Sequence, residues 1–408
     1  MILRYCRICQ GKLKTIIDLG RIALVGELLN KVRFKSKKHK IKLCYCIKCK
    51  HVQISQFINP NKLFRHYLWE TGVSSSNLNI IKEIIKKLKI FKINKLSKVF
   101  EIACNDGSFL KALYKKLGCT IVGIDPAKNL SKKNQDKNIH RITNYFTKEQ
   151  SRFIIKKFGK FDFIFARNVL AHVKNPNDLF QGVKKIINKK GIFIVEAPSL
   201  LNIIKDNQYD NIFHEHIGFH SLKSLIDLAK RNNLNLFDVE HIDSQGGSFR
   251  YYISNNDLLK PTKKVKHFLY LEKKYGLFKT ENIEKFKLKI NDHRKSLFNF
   301  IFKLKKSGKK ISAYGASGKG LALLQYSKID KNIIDHIFDK SKLKQKKYSP
   351  GTNIKILSPN DINRKKVDYL LILSWNIIKE IMKQENSFLK QGGKFIVPFP
   401  QPKIYSKK

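Results

Sequence analysis

The sequence predicts an α/β protein with a doubly wound parallel sheet at its centre. The first observation behind this prediction is a strand–turn–helix unit at residues 99–110, and the second is a similar unit around residues 311–321. The third is two C-x-x-C pairs near the N-terminus, which predict a small metal-binding domain. A strand that passes through a tight turn into a helix is how doubly wound sheets present a helix N-terminus to a ligand.

Length and composition set the broad class of protein. A chain of 408 residues, of which 42% are hydrophobic, is long enough for two or three packed domains. No apolar run reaches the ~18 residues of a membrane span. The first nine residues, MILRYCRIC, lack the apolar stretch of a secretory signal. The paired cysteines indicate metal binding in a reducing compartment, so we expect a cytoplasmic protein without a membrane partner.

The formal net charge of +52 raises the question of nucleic-acid binding. Lysine supplies most of the positive charge and is spread evenly along the chain, and no nucleic-acid-binding motif is present. We therefore predict no specific nucleic-acid partner. Salt-sensitive, nonspecific association with polyanions is expected.

Four cysteines have the spacing of a structural zinc site. Cys6 and Cys9 form one C-x-x-C pair, and Cys46 and Cys49 form the other. Each pair can offer two thiolates, and four thiolates complete a tetrahedral site with no open position for chemistry. Cys44 is a poorer ligand because it lacks knuckle spacing to Cys49. The alternative is a set of buried cysteines without a metal.

The central unit begins with apolar residues at 99–102 and continues through a tight turn at 105–108 into a helix. A second apolar run, residues 120–124, ends in Asp125, whose carboxylate can accept both ribose hydroxyls of an adenosine. The turn is not G-x-G-x-x-G, so a dinucleotide site is poorly supported. An ordinary βαβ unit without a ligand is the other interpretation.

Further candidate residues lie on both sides of this unit in the sequence. Asn168 and His172 come just after the strand at 161–165, and helical spacing would place them on one face. Upstream, Tyr67 and Trp69 precede the unit and are either core residues or a wall of the site.

The stretch Phe213-His214-Glu215-His216 belongs to the most polar cluster of the chain. It lacks the H-E-x-x-H spacing of a metal site, so acid–base chemistry is the better hypothesis. A structural role for the histidines is the alternative. In an extended segment His214 and His216 would point the same way, so spacing alone does not separate them.

The C-terminal part of the chain predicts a second, Rossmann-like α/β unit. A lysine-rich helical segment at 255–305 leads to a strand at 311–314 and the glycine-rich turn at 315–320. Backbone N–H groups of this turn, together with Lys319, can seat a phosphate. The glycine spacing does not match a Walker A motif, so an ATPase is disfavoured.

The motif E-x-x-x-N-D-G at 101–107 resembles the first motif of class I S-adenosylmethionine (SAM) methyltransferases. Over nearly its whole length, the chain resembles the sugar C-methyltransferases that act on nucleotide-linked 4-keto-deoxysugars. The matching pieces, in order, are the two C-x-x-C pairs, EIACNDGSFL, GIDPA, RNVLAHV, EAPSLLNIIKDNQYDNIFHEH, GGSFR, YGASGKG, YSPGT, LILSWN and GGKFIVPFP.

The resemblance implies three domains: a zinc-binding domain at 1–75, a class I SAM methyltransferase domain at 76–255, and an α/β domain at 256–408 that helps to hold a nucleotide-linked keto-sugar. It also implies the chemistry, in which a base removes a proton beside the ketone and the resulting carbanion attacks the SAM methyl group. His216 would be the base, oriented by Glu215, with His172 and Tyr67 facing the sugar. The expected cofactor-binding residues are Glu101, Asn105, Asp106, Gly107, Asp125, Pro126 and Asn168. The expected substrate-binding residues are Phe213, His214, Tyr314, Ser317 and Lys319.

Two positions depart from the family pattern. Phe213 stands where the family usually has tyrosine, and Gln245 where it often has histidine. These departures leave open which sugar is used and which position is methylated. An O- or N-methyltransferase acting on a nucleotide sugar or a surface-polysaccharide sugar, and a noncatalytic SAM- or nucleotide-sugar-binding protein, are the alternative functions. The sequence does not indicate an oligomeric state.

Overall fold

The computed structural model describes residues 3–33, 36–73, 75–131 and 137–406, with backbone only at 73 and 75–78. Its strands form three sheets, of four, seven and six strands. The strands are β1 (Leu13–Ala23), β2 (Lys38–Cys46), β3 (Val52–Ile54), β4 (Lys98–Ile102), β5 (Thr120–Ile124), β6 (Ile139–Ile142), β7 (Phe161–Arg167), β8 (Ile187–Pro198), β9 (Gly218–Phe219), β10 (Asn235–Ile242), β11 (Ser248–Ser254), β12 (Ile311–Tyr314), β13 (His336–Phe338), β14 (Lys355–Leu357), β15 (Tyr369–Ile372), β16 (Lys394–Val397) and β17 (Lys403–Tyr405).

Helices cover the sheets and connect them. The α-helices are α1 (Pro60–Phe64), α2 (Ser75–Ile90), α3 (Ser108–Leu117), α4 (Lys128–Ser131), α5 (Gln150–Phe158), α6 (Pro176–Ile186), α7 (Leu200–Lys205), α8 (Leu222–Arg231), α9 (Lys263–Tyr275), α10 (Thr280–Lys306), α11 (Gly318–Tyr326), α12 (Ile378–Gln384) and α13 (Asn386–Lys390). Among these described helices, none combines the length and apolar character needed to cross a bilayer.

The N-terminal sheet is antiparallel, in the order β1-β2-β3-β9. Its last strand, β9, comes from the middle of the chain. Val52 of β3 pairs with Phe219 of β9, and Gln53 pairs with Gly218. The segment directly after His216 is therefore a strand of the N-terminal sheet. This pairing connects the candidate base to the metal-binding unit.

The central sheet has the order β10-β11-β8-β7-β4-β5-β6. Strands β4 to β8 run parallel, and β11 runs antiparallel to both of its neighbours. The strand order reverses between β4 and β7, and ligands of doubly wound sheets bind in the crevice at the carboxyl ends of the strands beside such a reversal. This arrangement confirms the predicted doubly wound central domain.

Both faces of the central sheet are buried, which accounts for the nearly continuous apolar runs of its strands. Along β7, Phe163 and Phe165 pack in one hydrophobic cluster, whereas Ile164 and Ala166 pack in the cluster on the opposite face. The alternation follows from the two-residue period of a strand.

The C-terminal sheet has the order β14-β13-β12-β15-β16-β17, parallel except for the edge strand β17. Its order reverses between β12 and β15, as expected of a second doubly wound α/β domain. Ile41 of the N-terminal sheet, Ile212 of the candidate site and Leu371 of this sheet belong to one hydrophobic cluster. The N-terminal and C-terminal units therefore share a core that encloses the segment leading to His216.

Candidate active site

The four predicted zinc ligands come together. The Sγ atoms of Cys6, Cys9, Cys46 and Cys49 all lie within 4.8 Å of one another, with 3.5 Å between Cys6 and Cys49 and 3.4 Å between Cys9 and Cys46. Tetrahedral zinc with Zn–S bonds of about 2.3 Å requires sulfur separations of about 3.8 Å. The donor set and its spacing therefore fit a structural zinc ion.

Each C-x-x-C pair forms a tight turn around its first cysteine. The Ile8 N–H group donates to Cys6 Sγ at 3.3 Å, and the Cys49 N–H group donates to Cys46 Sγ at 3.5 Å. Such N–H···S bonds stabilise thiolates and orient them. Cys44 lies outside the cluster, with its Sγ 3.9 Å from Thr15 Oγ1, as expected from its spacing.

The turn after β4 and the carboxylate after β5 form one unit. Asn105 and Gly107 have φ angles of 51° and 75°, so the chain reverses tightly before α3. Asp125 Oδ2 accepts from the Asn105 N–H group at 2.9 Å, and Oδ1 accepts from the Ala127 N–H group at 2.8 Å. Each carboxylate oxygen has two lone pairs, so one remains on each for a ribose hydroxyl.

Glu101 is a second carboxylate in the same crevice. Its side chain is buried, and Oε1 accepts from Arg167 Nε at 3.2 Å, while Oε2 is buried without a hydrogen-bond partner among the described residues. Burial raises the pKa of Glu101 to about 7, although the Arg167 guanidinium opposes the shift. An acceptor of this kind fits the ammonium group of SAM.

A short helical turn at Thr71–Val73 covers the cofactor turn. The Thr71 N–H group donates to Asn105 Oδ1 at 2.9 Å, and the Gly72 N–H group donates to Asp106 Oδ2 at 2.8 Å. Asn105 Nδ2 donates to the Trp69 carbonyl oxygen at 3.1 Å, and the Trp69 side chain is 40% exposed. Trp69 thus belongs to the wall around this turn and not to the core.

Two further predicted cofactor residues follow the two strands that flank β4, namely β5 and β7. Pro126 follows Asp125 directly, and Asn168 follows β7 with a φ angle of 53° and a buried Oδ1 that has no hydrogen-bond partner within the described chain. The expectation that Asn168 and His172 share a helix face is wrong. The chain turns at Asn168 and forms only a short 3₁₀ segment, Leu170–His172.

His216 is held as a neutral imidazole. Its Nδ1 lies 2.9 Å from the Asn211 carbonyl oxygen. A carbonyl only accepts, so Nδ1 carries the hydrogen and Nε2 carries the lone pair. Burial, and secondarily the charges of His172 and Lys319, lower the pKa of His216 well below its usual range. Nε2 of His216 is therefore a base that stays unprotonated at neutral pH.

Aromatic rings surround this base. The His172 ring lies 4.9 Å from the His216 ring, and the Phe213 ring lies 4.2 Å from it, both measured between centroids. His172 Nδ1 lies 2.8 Å from the Glu215 carbonyl oxygen, and burial lowers the pKa of His172 to about 4.

The structure separates His214 from His216. The His216 N–H group donates to the Phe213 carbonyl oxygen at 3.0 Å, so this segment is a turn and not the extended segment we considered. His214 Nε2 lies 3.2 Å from the His39 carbonyl oxygen, on the N-terminal sheet. The two histidines therefore have different neighbours.

Tyr67 lies close enough to both Glu215 and Asp125 for their charges to act on its hydroxyl. Burial raises the pKa of Glu215 to about 7, with Lys344 opposing the shift. Burial, followed by the charges of Glu215 and Asp125, raises the pKa of Tyr67 well above its usual range. The Tyr67 hydroxyl therefore stays protonated at neutral pH and can donate a hydrogen bond. Among the described contacts, the Asn211 carbonyl and not the Glu215 side chain holds His216 Nδ1.

The glycine-rich turn of the C-terminal domain lies next to Phe213, whose ring packs against His216. Ser317 Oγ caps α11 by accepting from the Gly320 N–H group at 3.2 Å. Lys319 is buried, and its Nζ donates to the Gln245 carbonyl oxygen at 2.9 Å. A Cβ at Gly318 would lie 3.1 Å from the Phe213 ring. The start of α11 therefore lies directly beside the aromatic residues around His216.

Tyr314 is separate from the other predicted substrate residues. Tyr314 packs with Phe338 and Ile372, and its hydroxyl donates to Glu385 Oε1 at 2.7 Å. The preceding residue, Ala313, packs in the cluster on the opposite face of the sheet. Two supports of the site, Asn211 and Asp210, carry no motif that marks them in the sequence. Asp210 Oδ2 accepts from Trp375 Nε1 at 2.7 Å, which links the segment before His216 to the C-terminal domain. Their position among polar residues just upstream of His216 was the available signal.

Comparison with known proteins finds three family matches, one after another along the chain. Residues 6–64 match the family described as "Putative zinc binding domain", residues 77–239 match "Methyltransferase domain", and residues 243–400 match "C-methyltransferase C-terminal domain". The cysteine cluster lies in the first range, Glu101, Asn105 and Asp125 lie in the second, and strands β12 to β16 lie in the third.

Two curated relatives and one solved structure show the range of similarity. The C-methyltransferase NovU from Streptomyces niveus is 29% identical over 408 residues, which covers 98% of this chain and 96% of NovU. The ubiquinone biosynthesis O-methyltransferase from Pelagibacter ubique is 30% identical over 178 residues, covering 39% of this chain and 72% of that protein. An S-adenosylmethionine-dependent methyltransferase from Clostridium acetobutylicum has 12% identity and a TM-score of 0.35, covering 43% of this chain and 90% of that one.

The full-length match to a C-methyltransferase agrees with the three family matches and with the crevice formed by Glu101, Asn105 and Asp125. The chain belongs to the SAM-dependent methyltransferases, and over its full length it is similar to a C-methyltransferase, with matches to a zinc-binding domain at its N-terminal end and to a C-methyltransferase C-terminal domain at its other end.

Proposed function

We propose that this enzyme transfers the methyl group of SAM to the carbon next to the ketone of a nucleotide-linked 4-keto-deoxysugar. The observation that carries the proposal is the neutral His216 imidazole with its Nε2 lone pair. O-methylation makes smaller demands on a base. Removal of a proton from carbon requires a base that is unprotonated at working pH and within hydrogen-bond reach of that proton.

The residues around His216 suit a deprotonation step. Nε2 of His216 takes the proton from the carbon beside the ketone, and the electron pair of that C–H bond moves into an enolate. Tyr67, whose hydroxyl stays protonated, donates a hydrogen bond to the developing oxyanion. In this proposal Tyr67 replaces the hydroxyl that Phe213 lacks. Such preorganised donors are typically worth about 10²–10³-fold in rate.

Asp125 of the cofactor crevice also acts on the Tyr67 hydroxyl, which connects the candidate base region to the crevice. SAM supplies an electrophilic methyl group and leaves as the neutral thioether after transfer. Asp125 and the turn at Asn105 would hold its ribose, while Glu101 would accept from its ammonium group. With SAM bound, the enolate carbon would be the acceptor of its methyl group. The proton taken up by His216 would pass to solvent before the next turnover.

The C-terminal domain offers a place for the nucleotide diphosphate. The start of α11 presents backbone N–H groups beside Phe213, and buried Lys319 adds a positive charge there. Oxygens of a diphosphate are bound by such helix N-termini and lysines. A cytoplasmic location, where nucleotide-linked sugars are made available to enzymes, is part of the same proposal.

The position of methylation can be read from the products. Wild-type enzyme is supplied with SAM carrying a ¹³C methyl group and with a panel of nucleotide-linked 4-keto-deoxysugars, with the corresponding 4-hydroxy sugars as controls. Mass spectrometry and ¹³C NMR should show a carbon-bound methyl group in a keto-sugar product and no transfer to the 4-hydroxy controls. A methyl group on oxygen or nitrogen would replace the proposal with the O- or N-methyltransferase alternative.

A further inference from the structure

Arg7 lies inside the first C-x-x-C pair, between two of the zinc ligands. Its side chain is 8% exposed, and the guanidinium reaches out of the N-terminal domain. Nη1 donates to the Val173 carbonyl oxygen at 2.5 Å, and Nη2 donates to the Ile217 carbonyl oxygen at 2.6 Å. A single planar group therefore joins two segments that are far apart in the sequence.

These two carbonyl groups have a special position in the site. Val173 directly follows His172, and Ile217 directly follows His216. The two histidine rings are 4.9 Å apart. Because the N–H groups of a guanidinium have fixed directions, two simultaneous bonds constrain the distance between the two backbone segments. The constraint extends to the side chain of the candidate base.

Gly218 shows how closely Arg7 approaches. A Cβ at this position would collide with Nη2 of Arg7, and the next nearest atom would be His51 Cε1 at 3.3 Å. The φ angle of Gly218 is not in the left-handed region, so its backbone does not require glycine. The lack of a side chain at position 218 instead leaves room for the guanidinium.

We propose that Arg7 is a positioning residue, which sets the separation of His172 and His216 and so aims Nε2 of His216 at the substrate carbon. This inference rests on the proposed function. The C-x-x-C pair, as a rigid turn, holds Arg7 in place. In this way the zinc-binding domain contributes to the geometry of the base, although it supplies no group that reacts.

Arg7→Lys and Arg7→Met test the proposal, with Arg4→Met as the matched control because Arg4 is exposed in the same segment. Lysine keeps the charge but lacks the planar pair of donors. We expect both variants to retain stoichiometric zinc and wild-type affinity for SAM. Their kcat should fall about 10–100-fold with little change in the KM for the sugar, the size of effect that misplacement of a reacting group produces. Arg4→Met should behave as wild type.

A second readout needs neither substrate nor turnover. ¹⁵N NMR of the His216 ring, assigned by the signals that disappear in His216→Asn, reports which ring nitrogen carries the hydrogen. We expect wild type and Arg4→Met to show a single tautomer with the hydrogen on Nδ1. Arg7→Lys and Arg7→Met should show shifted signals, whereas a merely structural role would lower the melting temperature and leave these signals unchanged.

Gly218→Ala perturbs the same contact from the other side and keeps Arg7. It should reproduce the kcat loss and the NMR shift, and it should add little in the Arg7→Met background, because the two changes remove one interaction. If Arg7→Met loses zinc, Arg7→Lys and Gly218→Ala decide the question. Wild-type kcat and His216 signals in zinc-loaded Arg7→Lys and in Gly218→Ala would overturn the proposal. If wild type makes no C-methylated product, the proposed function fails, and the NMR comparison still tests Arg7.

Discussion

The central and C-terminal sheets each reverse their strand order once, and at each reversal a turn leads from a strand into a helix. In the central sheet, Asp125 accepts the N–H groups of Asn105, in the turn, and of Ala127, two residues further on. In the C-terminal sheet, Asp339 accepts the N–H group of Ala316 at 2.7 Å and that of Ser341 at 2.8 Å. The two turns are thus supported in the same way.

The charges around the two turns differ. Lys344 Nζ lies 3.1 Å from Asp339 Oδ2, whereas among the described ion pairs none involves Asp125. The penultimate residue is Glu101 in β4 and Ala313 in β12. The central turn therefore presents carboxylates, which suit a cofactor with an ammonium and ribose hydroxyls. The C-terminal turn presents lysines, which suit an anionic group. We propose that one backbone plan serves two ligands, because the side chains around it differ.

The largest effect that tests this comparison is expected at the two aspartates. Asp125→Ala removes two hydrogen bonds to a charged group, each worth roughly 1.5–3 kcal/mol, so SAM affinity should fall by about 10²–10⁴-fold. Asp339→Ala is the matched control, because it disturbs the equivalent turn support in the other domain. Its SAM affinity should match wild type. Calorimetry measures both affinities. An equal loss of SAM affinity in the two variants would show that SAM binding is not specific to the central turn.

The next largest effect concerns the anionic ligand. Lys319→Met should raise the KM for the nucleotide-linked sugar by about 10–100-fold, because a charge-assisted bond of roughly 1.5–3 kcal/mol is lost. Affinity for SAM should not change. Lys340→Met, which removes an exposed lysine of the same domain, serves as the control. Steady-state kinetics in which both variants behave alike would remove Lys319 from the sugar site.

The smallest predicted effect is the pH dependence of cofactor binding. The pKa of Glu101 is raised to about 7, so below that pH the carboxyl is protonated and must lose a proton to accept from an ammonium group. SAM affinity should therefore rise by about tenfold between pH 6 and pH 8. Glu101→Gln should bind SAM more weakly at pH 8 and lose this slope. Calorimetry at several pH values measures this dependence. If SAM affinity still rises with pH in Glu101→Gln, the pH dependence belongs to another group.

The sequence predicted well what depends on local pattern. Apolar runs and small-residue turns predicted both α/β domains, and cysteine spacing predicted the four-thiolate cluster, because these features are encoded in neighbouring residues. It missed what depends on contacts between distant segments. The bonds from Arg7 to Val173 and Ile217 span 166 and 210 residues, and no local pattern signals them.

The turn at residues 213–216 illustrates the same limit. An extended segment would have placed His214 and His216 side by side, and the alternation rule for strands supported that expectation. The observed turn depends on Tyr326, whose hydroxyl donates to the Ile212 carbonyl oxygen, and on His39, whose carbonyl oxygen lies beside His214 Nε2. Both supports come from other domains.

Proton removal by His216 is the central claim, and solvent exchange tests it most directly. The enzyme is incubated with the nucleotide-linked keto-sugar in D₂O, and NMR follows deuterium entering the carbon beside the ketone. Wild type should catalyse exchange, His214→Asn should retain it, and His216→Asn should fold and bind SAM but show no exchange above the uncatalysed rate. Exchange at the wild-type rate in His216→Asn would contradict the account.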